Sequence, residues 1–412
     1  MRGLFAVMED ELGATAAATT NEQVERVQEL EEQVAQAEVA EGQAEVSEMA
    51  DTADEAVTAI EELADVAEVM SDSVEGEGEG LTEDAAEIAE VAVEAICARL
   101  GYKPAKKPMP SMEAFGSTSS RVEATKYALE GLSDTMRKIW EAIKGFFSRI
   151  WEAIKGLWNR LFNASTKVGD RVKKLEEKLK AAKDDGLVAD TKKKYDAVKF
   201  CKAFNVKDVT AVAEGAVVIL GAHTAMTKEQ GKINDSLAGL FEKAEKAETS
   251  EQIKAILDGV ANNEAFRKGT FAFNTTVNAE VDVEKGSFKF DLVSNDPKIE
   301  KAEGKVVSLG DIEAVIDAAK EFQAELAKAK ANLSKAESVV KKGIAAADKM
   351  SKDEKVEASV AKLRAAGFKA GQTALIAINT KLPTLGLKAA SAALDFAAIN
   401  LAGYKEEEKK AA

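Results

Sequence analysis

The sequence predicts a mainly α-helical protein built from two parts of opposite charge, and three observations carry that reading. Ala, Glu and Lys dominate, while the 412 residues include only 5 prolines and 6% aromatics, a helix-forming composition. Apolar residues recur at three- and four-residue spacing through most of the chain, the period of an amphipathic helix. Residues 1–113 hold 29 acidic and 6 basic residues, a net charge of −23, whereas residues 114–412 hold 43 acidic and 50 basic residues, a net of +7. The whole-chain value of −16 therefore describes neither part.

The extreme N-terminus, Met1 to Asp10, reaches acidic residues after a short apolar stretch, too short for the apolar region of a signal peptide. No run approaches 18 apolar residues without charge, so no conventional membrane-spanning helix is expected. Residues 21–72 read as one helix of Glu, Ala, Val and Gln, with Val24, Val27, Leu30, Val34, Val39 and Val46 forming a thin apolar stripe. So thin a stripe under so dense a charge fits a weak coiled coil, a helix formed only against a partner, or a solvated acidic tail. Three glycines within residues 73–80 break it, and Thr82 then caps a second acidic helix that Gly101 stops. The joint that follows, about residues 101–120, carries Pro104, Pro108 and Pro110 and a Gly/Ser-rich stretch from Gly116 to Ser120, as expected of an exposed, protease-accessible linker.

After the joint, Ile139-Trp140-Glu141-Ala142-Ile143-Lys144-Gly145 recurs as Ile150-Trp151-Glu152-Ala153-Ile154-Lys155-Gly156, eleven residues later. Eleven residues are three helical turns with about 20° of drift, so the repeat keeps one face in register. All 3 tryptophans lie in this stretch, within residues 114–163. Its apolar face, with Ile139, Trp140, Ile143, Phe147, Ile150, Trp151, Ile154 and Trp158, reads as a core or partner interface, or alternatively as a membrane-interface element.

Residues 164–412 form an Ala/Lys-rich helical body. Helices are expected at about 166–184, 188–203, 207–228, 231–246 and 249–262, then at 309–349, 352–366 and 369–402 with a break near Pro383. Between the two groups the period changes to two. Phe271-Ala272-Phe273, residues 277–283 and residues 287–293 alternate, and Glu284-Lys285-Gly286 supplies a turn, which predicts a small antiparallel β-meander at about 270–293. The C-terminal tail from Lys405 is expected to be solvated and frayed.

Little in the sequence points to catalysis. The single histidine, His223, lies in an apolar helical stretch and reads as a core residue rather than a base. Cys97 and Cys201 have neither metal-ligand spacing nor a nucleophile's context. Phosphate-binding loops are absent. No catalytic residue, metal ligand or cofactor is therefore assigned, and the protein reads as a non-enzyme. The dispersed positive charge of residues 114–412 fits non-specific, salt-sensitive contact with nucleic-acid phosphates.

Ser111-Met112-Glu113, followed by Ala114, resembles the small-x-Glu processing site cut by the prohead protease of large tailed bacteriophages. The triplets Ser73-Val74-Glu75, Ala85-Ala86-Glu87, Ala92-Val93-Glu94 and Ala128-Leu129-Glu130 also match. Only Glu113 falls in the Pro/Gly/Ser joint, and a cut between Glu130 and Gly131 is the second choice. The layout as a whole is similar to the internal head (prohead core) proteins of giant myoviruses: an acidic helical segment, a joint, then an Ala/Lys-rich helical body opening on a Trp-Glu-Ala-Ile-Lys helix. That resemblance implies a structural virion protein made in the host bacterial cytoplasm and packaged as a precursor. It implies that residues 1–113 are a propeptide removed by the prohead protease, and that the body stays inside the head with packaged DNA, the capsid shell or other internal head proteins. Two other readings stand beside it: a membrane-active helical protein using the tryptophan face, and a cytoplasmic helical scaffold with a permanent acidic arm.

Overall fold

A computed structural model describes residues 20–76, 78–103, 109–261, 270–282, 287–295, 298–353 and 357–406. Within them the chain is mainly helical with short antiparallel strand pairs, as its composition predicts. The Pro104 and Pro108 positions, the Glu284-Lys285-Gly286 turn and most of the C-terminal tail lie outside the described residues.

Helix α1 (Thr20–Asp72) is 53 residues long, about 80 Å at 1.5 Å per residue. Thr82 caps α2 (Glu83–Arg99) by accepting a hydrogen bond from the Ala85 N–H. Helix α3 (Thr118–Asp184) contains the tryptophan repeat and continues unbroken for 67 residues, about 100 Å. The sequence suggested a stop near residue 163 and a new helix at 166, but Ala164, Val168, Val172 and Leu175 carry the buried stripe onward. With that spacing kept, nothing ends the helix until Gly186, at φ +63°.

Helix α4 (Val198–Ala203) is much shorter than the 188–203 helix expected, because two strands take the preceding residues: β1 (Val188–Ala189) and β2 (Lys194–Asp196). The expected helices at 207–228 and 231–246 are one helix, α5 (Val212–Ala244), followed by α6 (Ser250–Ala261). Strands β3 (Thr275–Asp282) and β4 (Ser287–Ser294) form a hairpin running from Thr275↔Ser294 to Asp282↔Ser287. The predicted first strand of the meander is instead a tight turn at Ala272–Asn274, with Phe273 at φ 57°. The third short strand, β5 (Glu303–Lys305), pairs with β2, and β6 (Tyr404–Lys405) pairs with β1. In β5, Gly304 lies directly under the Tyr195 ring, where a Cβ would approach to 2.4 Å. These two-residue and three-residue pairings carry no alternating pattern long enough to be read from sequence.

Helices α7 (Leu309–Lys328) and α8 (Leu333–Met350) are separated by one 3-10 turn at Ala329–Asn332. Helix α9 (Ala358–Ile376) passes through a π-helical turn, Ala377–Lys381, directly into α10 (Leu382–Leu401). The break expected near Pro383 thus takes the form of a π-turn, which accommodates a proline without ending the helix. No interruption occurs at 366–369.

The core forms two connected clusters. One joins the C-terminal half of α1, α2, the first part of α3, the end of α5, and α8 and α9. The other joins the N-terminal half of α1, the rest of α3, α4, the start of α5, α7 and α10. At the centre of the first, Trp140, Phe147, Phe241 and Phe368 make ring contacts with centroids 4.9–5.6 Å apart. Gly343 of α8 meets the Phe147 ring so closely that a Cβ would fall 2.5 Å from it.

Where the clusters meet, the buried Trp158 indole N–H donates to the Asn379 carbonyl at 2.8 Å. That carbonyl lies in the π-turn, where the wider winding disturbs the i to i+4 pairing of the backbone and leaves an acceptor to be satisfied by a side chain. The Asn379 amide exchanges hydrogen bonds with Asn234 (2.9 and 3.0 Å) and its oxygen accepts from Gln230 at 3.2 Å. His223 is also fully inside: its Nε2 accepts from the Ala272 N–H at 3.2 Å, and its ring packs on Phe271 and Phe322. Burial pushes its pKa down to about 3.

Trp158→Phe keeps one aromatic ring but removes the indole N–H and leaves a buried carbonyl without that donor. It is expected to lower stability by about 1–3 kcal/mol in urea denaturation. His223 stays neutral when folded but takes a proton below pH 6.5 when unfolded. Its contribution is therefore intact above pH 6.5, falls on acidification and levels off near pH 3. Between pH 7.5 and 5, unfolding midpoints should record about 2 kcal/mol more loss for the native chain than for His223→Gln.

Candidate functional site: joint and arm interface

The joint is anchored at both ends. Helix α2 ends in a Schellman-type cap, with Gly101 at φ +64° and hydrogen bonds from the Gly101 N–H to the Ala98 carbonyl and from the Tyr102 N–H to the Cys97 carbonyl. Met109 and Phe115 are both buried in the first core cluster. Between them, Ser111 precedes a 3-10 turn at Met112–Phe115, and Ser117 forms a capping box with Ser120 that starts α3. Ser111 and Glu113 are exposed, while Met112 and Ala114 are half-buried. The Glu113–Ala114 bond therefore sits in a tight turn rather than in extended chain, held by the Ala114 N–H to the Ser111 carbonyl at 2.9 Å.

The other small-x-Glu triplets sort by backbone. Ser73, Val74 and Glu75 lie in the irregular turn after α1. Glu87 and Glu94 are in α2. Ala128, Leu129, Glu130 and Gly131 are inside α3, with Ala128 fully buried.

The acidic segment packs along the rest of the chain. On α1, Glu32, Ala35, Val39, Gly42, Val46, Ala50, Ala53, Val57, Ile60, Ala64, Ala67 and Met70 are buried. Their spacing of three and four residues forms a seam, and the alanines allow α1 to approach α3 and α9 closely. Cations of the basic part then meet its carboxylates. Arg160 reaches Glu45 at 3.2 Å and the Glu38 carbonyl, and Lys167 pairs with Glu31. From α9, Lys362 pairs with Asp65 at 2.6 Å, and Lys369 reaches Asp54 at 3.2 Å and the Thr58 hydroxyl at 2.9 Å. Gln372 donates to the Ala50 carbonyl in the interior.

One knot of this interface is deep. Glu32, 4% exposed, accepts from the Ser391 hydroxyl at 2.6 Å and from Arg171 at 3.1 Å. Arg171 also binds Asp395 at 2.7 Å, and Asp395 binds Lys199 at 2.8 Å. These groups face a cleft of 540 Å³, and each carboxylate is held by a cation. On α1, burial raises the Glu61 carboxyl pKa, with Lys369 opposing and Asp54 reinforcing the shift.

The tryptophan face is covered by the chain itself. Ile139, Trp140, Ile143, Phe147, Ile150, Ile154 and Trp158 are buried, and Trp151 is half-buried. It is an intramolecular interface. Two helical stretches, 209–244 and 358–401, are long and apolar enough to cross a membrane by length and composition, though charged residues interrupt both, and 50% and 67% of their respective apolar windows are buried within the protein. Cys97 and Cys201 are free and buried, and burial raises both thiol pKa values. Among the described residues, no group of three or more His, Cys, Asp or Glu side chains could hold a metal ion.

One family profile matches residues 7–398, spanning both the acidic segment and the basic body. The chain belongs to the phiKZ-like phage internal head proteins. No curated protein and no solved structure matches it. Membership makes this a structural protein of the virion, located inside the phage head and associated with the capsid or the head contents. The resemblance drawn from the layout is confirmed at the level of family. Sequence reasoning did not identify Glu32, Glu45, Asp54 and Asp65, the arm residues of this internal head protein that bind the body, since nothing singles them out among 29 acidic residues. The buried alanines at three-four spacing were the available signal.

If α1 is part of the core, Leu63→Ala should destabilise the whole internal head protein by about 2–5 kcal/mol. The measurement is urea denaturation followed by fluorescence of the three tryptophans on α3, none of which lies in the mutated helix. An unchanged midpoint would mean that α1 folds apart from the body.

Proposed function

We propose that this internal head protein is made as a precursor, enters the assembling head whole, and is cut by the prohead protease after Glu113. Residues 1–113 act as an acidic propeptide. The body from Ala114 then resides with the packaged DNA and contacts the shell or other internal head proteins. Its role is structural, without a catalytic step of its own. The observation that carries the reading is the change of charge from −23 to +7 across the joint, set beside the pairing of Arg160, Lys167, Arg171, Lys362 and Lys369 with carboxylates of the acidic helix. While the acidic segment is in place, these cations are neutralised and premature attraction to nucleic acid is reduced. Once it is lost, they face a compartment filled with polyanion, where Lys and Arg bind phosphates by releasing counterions.

The position of Glu113 supports the choice of bond. It is exposed, it lies in a one-turn 3-10 element rather than a long helix, and opening that turn breaks few hydrogen bonds. Cutting after Glu130, by contrast, requires unwinding α3 around the buried Ala128. The membrane-active alternative would require Trp140 and Trp158 to leave the core, and the buried Trp158 to Asn379 hydrogen bond opposes that.

The test is the N-terminus of the protein recovered from purified virions, read by mass spectrometry of semi-tryptic peptides. A start at Ala114 is expected, and Glu113→Ala should abolish it. Recovery of the chain with residues 1–113 still attached would overturn the precursor reading.

A further inference from the structure

We infer that the body carries a binding groove for an acidic, alanine-lined helix, and that α1 remains seated in it by non-covalent contacts after the joint is severed. The biological weight of this inference rests on the processing proposed above; its physical basis does not.

The groove runs along α3 and is closed by α9 and α10. Its occupant meets it through an apolar row at three-four spacing, from Val39 through Val46, Val57 and Ile60 to Met70, with all five side chains at 2% exposure or less. This is the recognition pattern of a helix laid in a groove, read by anchors on one face. Polar contacts fix the register along the same line. Ser391 and Arg171 hold Glu32 at one end, Gln372 holds the Ala50 carbonyl in the middle, and Lys362 holds Asp65 near the other end. None of these contacts passes through residues 101–120, so cutting there removes only the tether. The tether raises the local concentration of the arm, and its buried residues Met109 and Phe115 stay with the body when the cut falls before Met109.

The chemistry also says which ligand fits. A nucleic-acid backbone could satisfy Arg160, Lys167, Lys362 and Lys369, but it could not cover the apolar row between them. The matching occupant is an amphipathic helix with small apolar residues on one face and carboxylates flanking it. By this reading a single cut at the joint does not by itself turn the acidic protein into a basic one. The charge changes only when α1 is displaced.

The experiment uses the full chain with a site-specific protease sequence placed between Lys103 and Met109. After complete cutting, gel filtration and native mass spectrometry at about 1 µM protein should give a single 1:1 complex of the two fragments. It should persist in 1 M salt, since contacts between exposed charges are largely screened there and apolar ones are not. In the cut protein, Ile60→Ala with Leu63→Ala should raise the dissociation constant at least 100-fold. Asp54→Asn with Asp65→Asn should raise it less than 10-fold, as expected for exposed ion pairs. Separation of the fragments in 0.15 M salt, or release by salt alone, would overturn the proposal. Because the cut is made by an added protease, this result is independent of whether Glu113 is processed in the head.

Discussion

The long antiparallel seam between α1 and α3, along which Arg160 meets Glu45 and Lys167 meets Glu31, is the constraint on which the rest of this structure depends. Both helices pass through both core clusters, so neither cluster is complete without them. The seam works because its residues are small. Alanine at positions 35, 50, 53, 64 and 67 brings the helix backbones together, and the larger Val46, Val57 and Ile60 then reach across to fill the remaining volume. The 29 acidic residues of the N-terminal part would by themselves oppose compaction. They are tolerated because, among the described residues, most lie on the outward faces, and several that border the seam meet cations of α3 and α9.

The helical class and the long helices were legible in the sequence because their apolar residues keep one period. The tryptophan helix was the clearest, although its length was not: Ala164, Val168 and Val172 continue the stripe with side chains too small to stand out after three tryptophans. Less could be read where the structure depends on partners distant in sequence. The acidic helix looked thinly apolar because its valines were counted and its alanines were not. An alanine on a helix is ambiguous, being the best helix former on any face, and only packing reveals that this set is buried. The two small strand pairs, β1 with β6 and β2 with β5, were not visible at all, since two or three residues carry no period. The family was legible; the interlocked charges that bind arm to body were not.

Polar groups in the interior locate the points where helices must not slide. Trp158, Asn234, Gln230 and Asn379 bring α3, α5 and the α9–α10 helix together at one level. Leu and Ile contacts alone would allow neighbouring registers of similar energy, whereas a shift of one residue here would strand several buried donors and acceptors at once. The π-turn before Pro383 belongs to the same arrangement, because it places the Asn379 carbonyl within reach of the indole.

The distance along the chain between the two halves of the seam has a consequence for how the protein is made. Glu32 and Ser391, hydrogen-bonded in the folded protein, are 359 positions apart. At a bacterial rate of 5–20 residues per second, the acidic helix leaves the ribosome roughly 20–70 s before its last partner exists. For that interval α3 is available to cover part of its alanine and valine face, but the surface that α9 and α10 will close stays open. The high negative charge then has a second use, since chains carrying it repel one another and remain dispersed until the C-terminal helix arrives to close the fold.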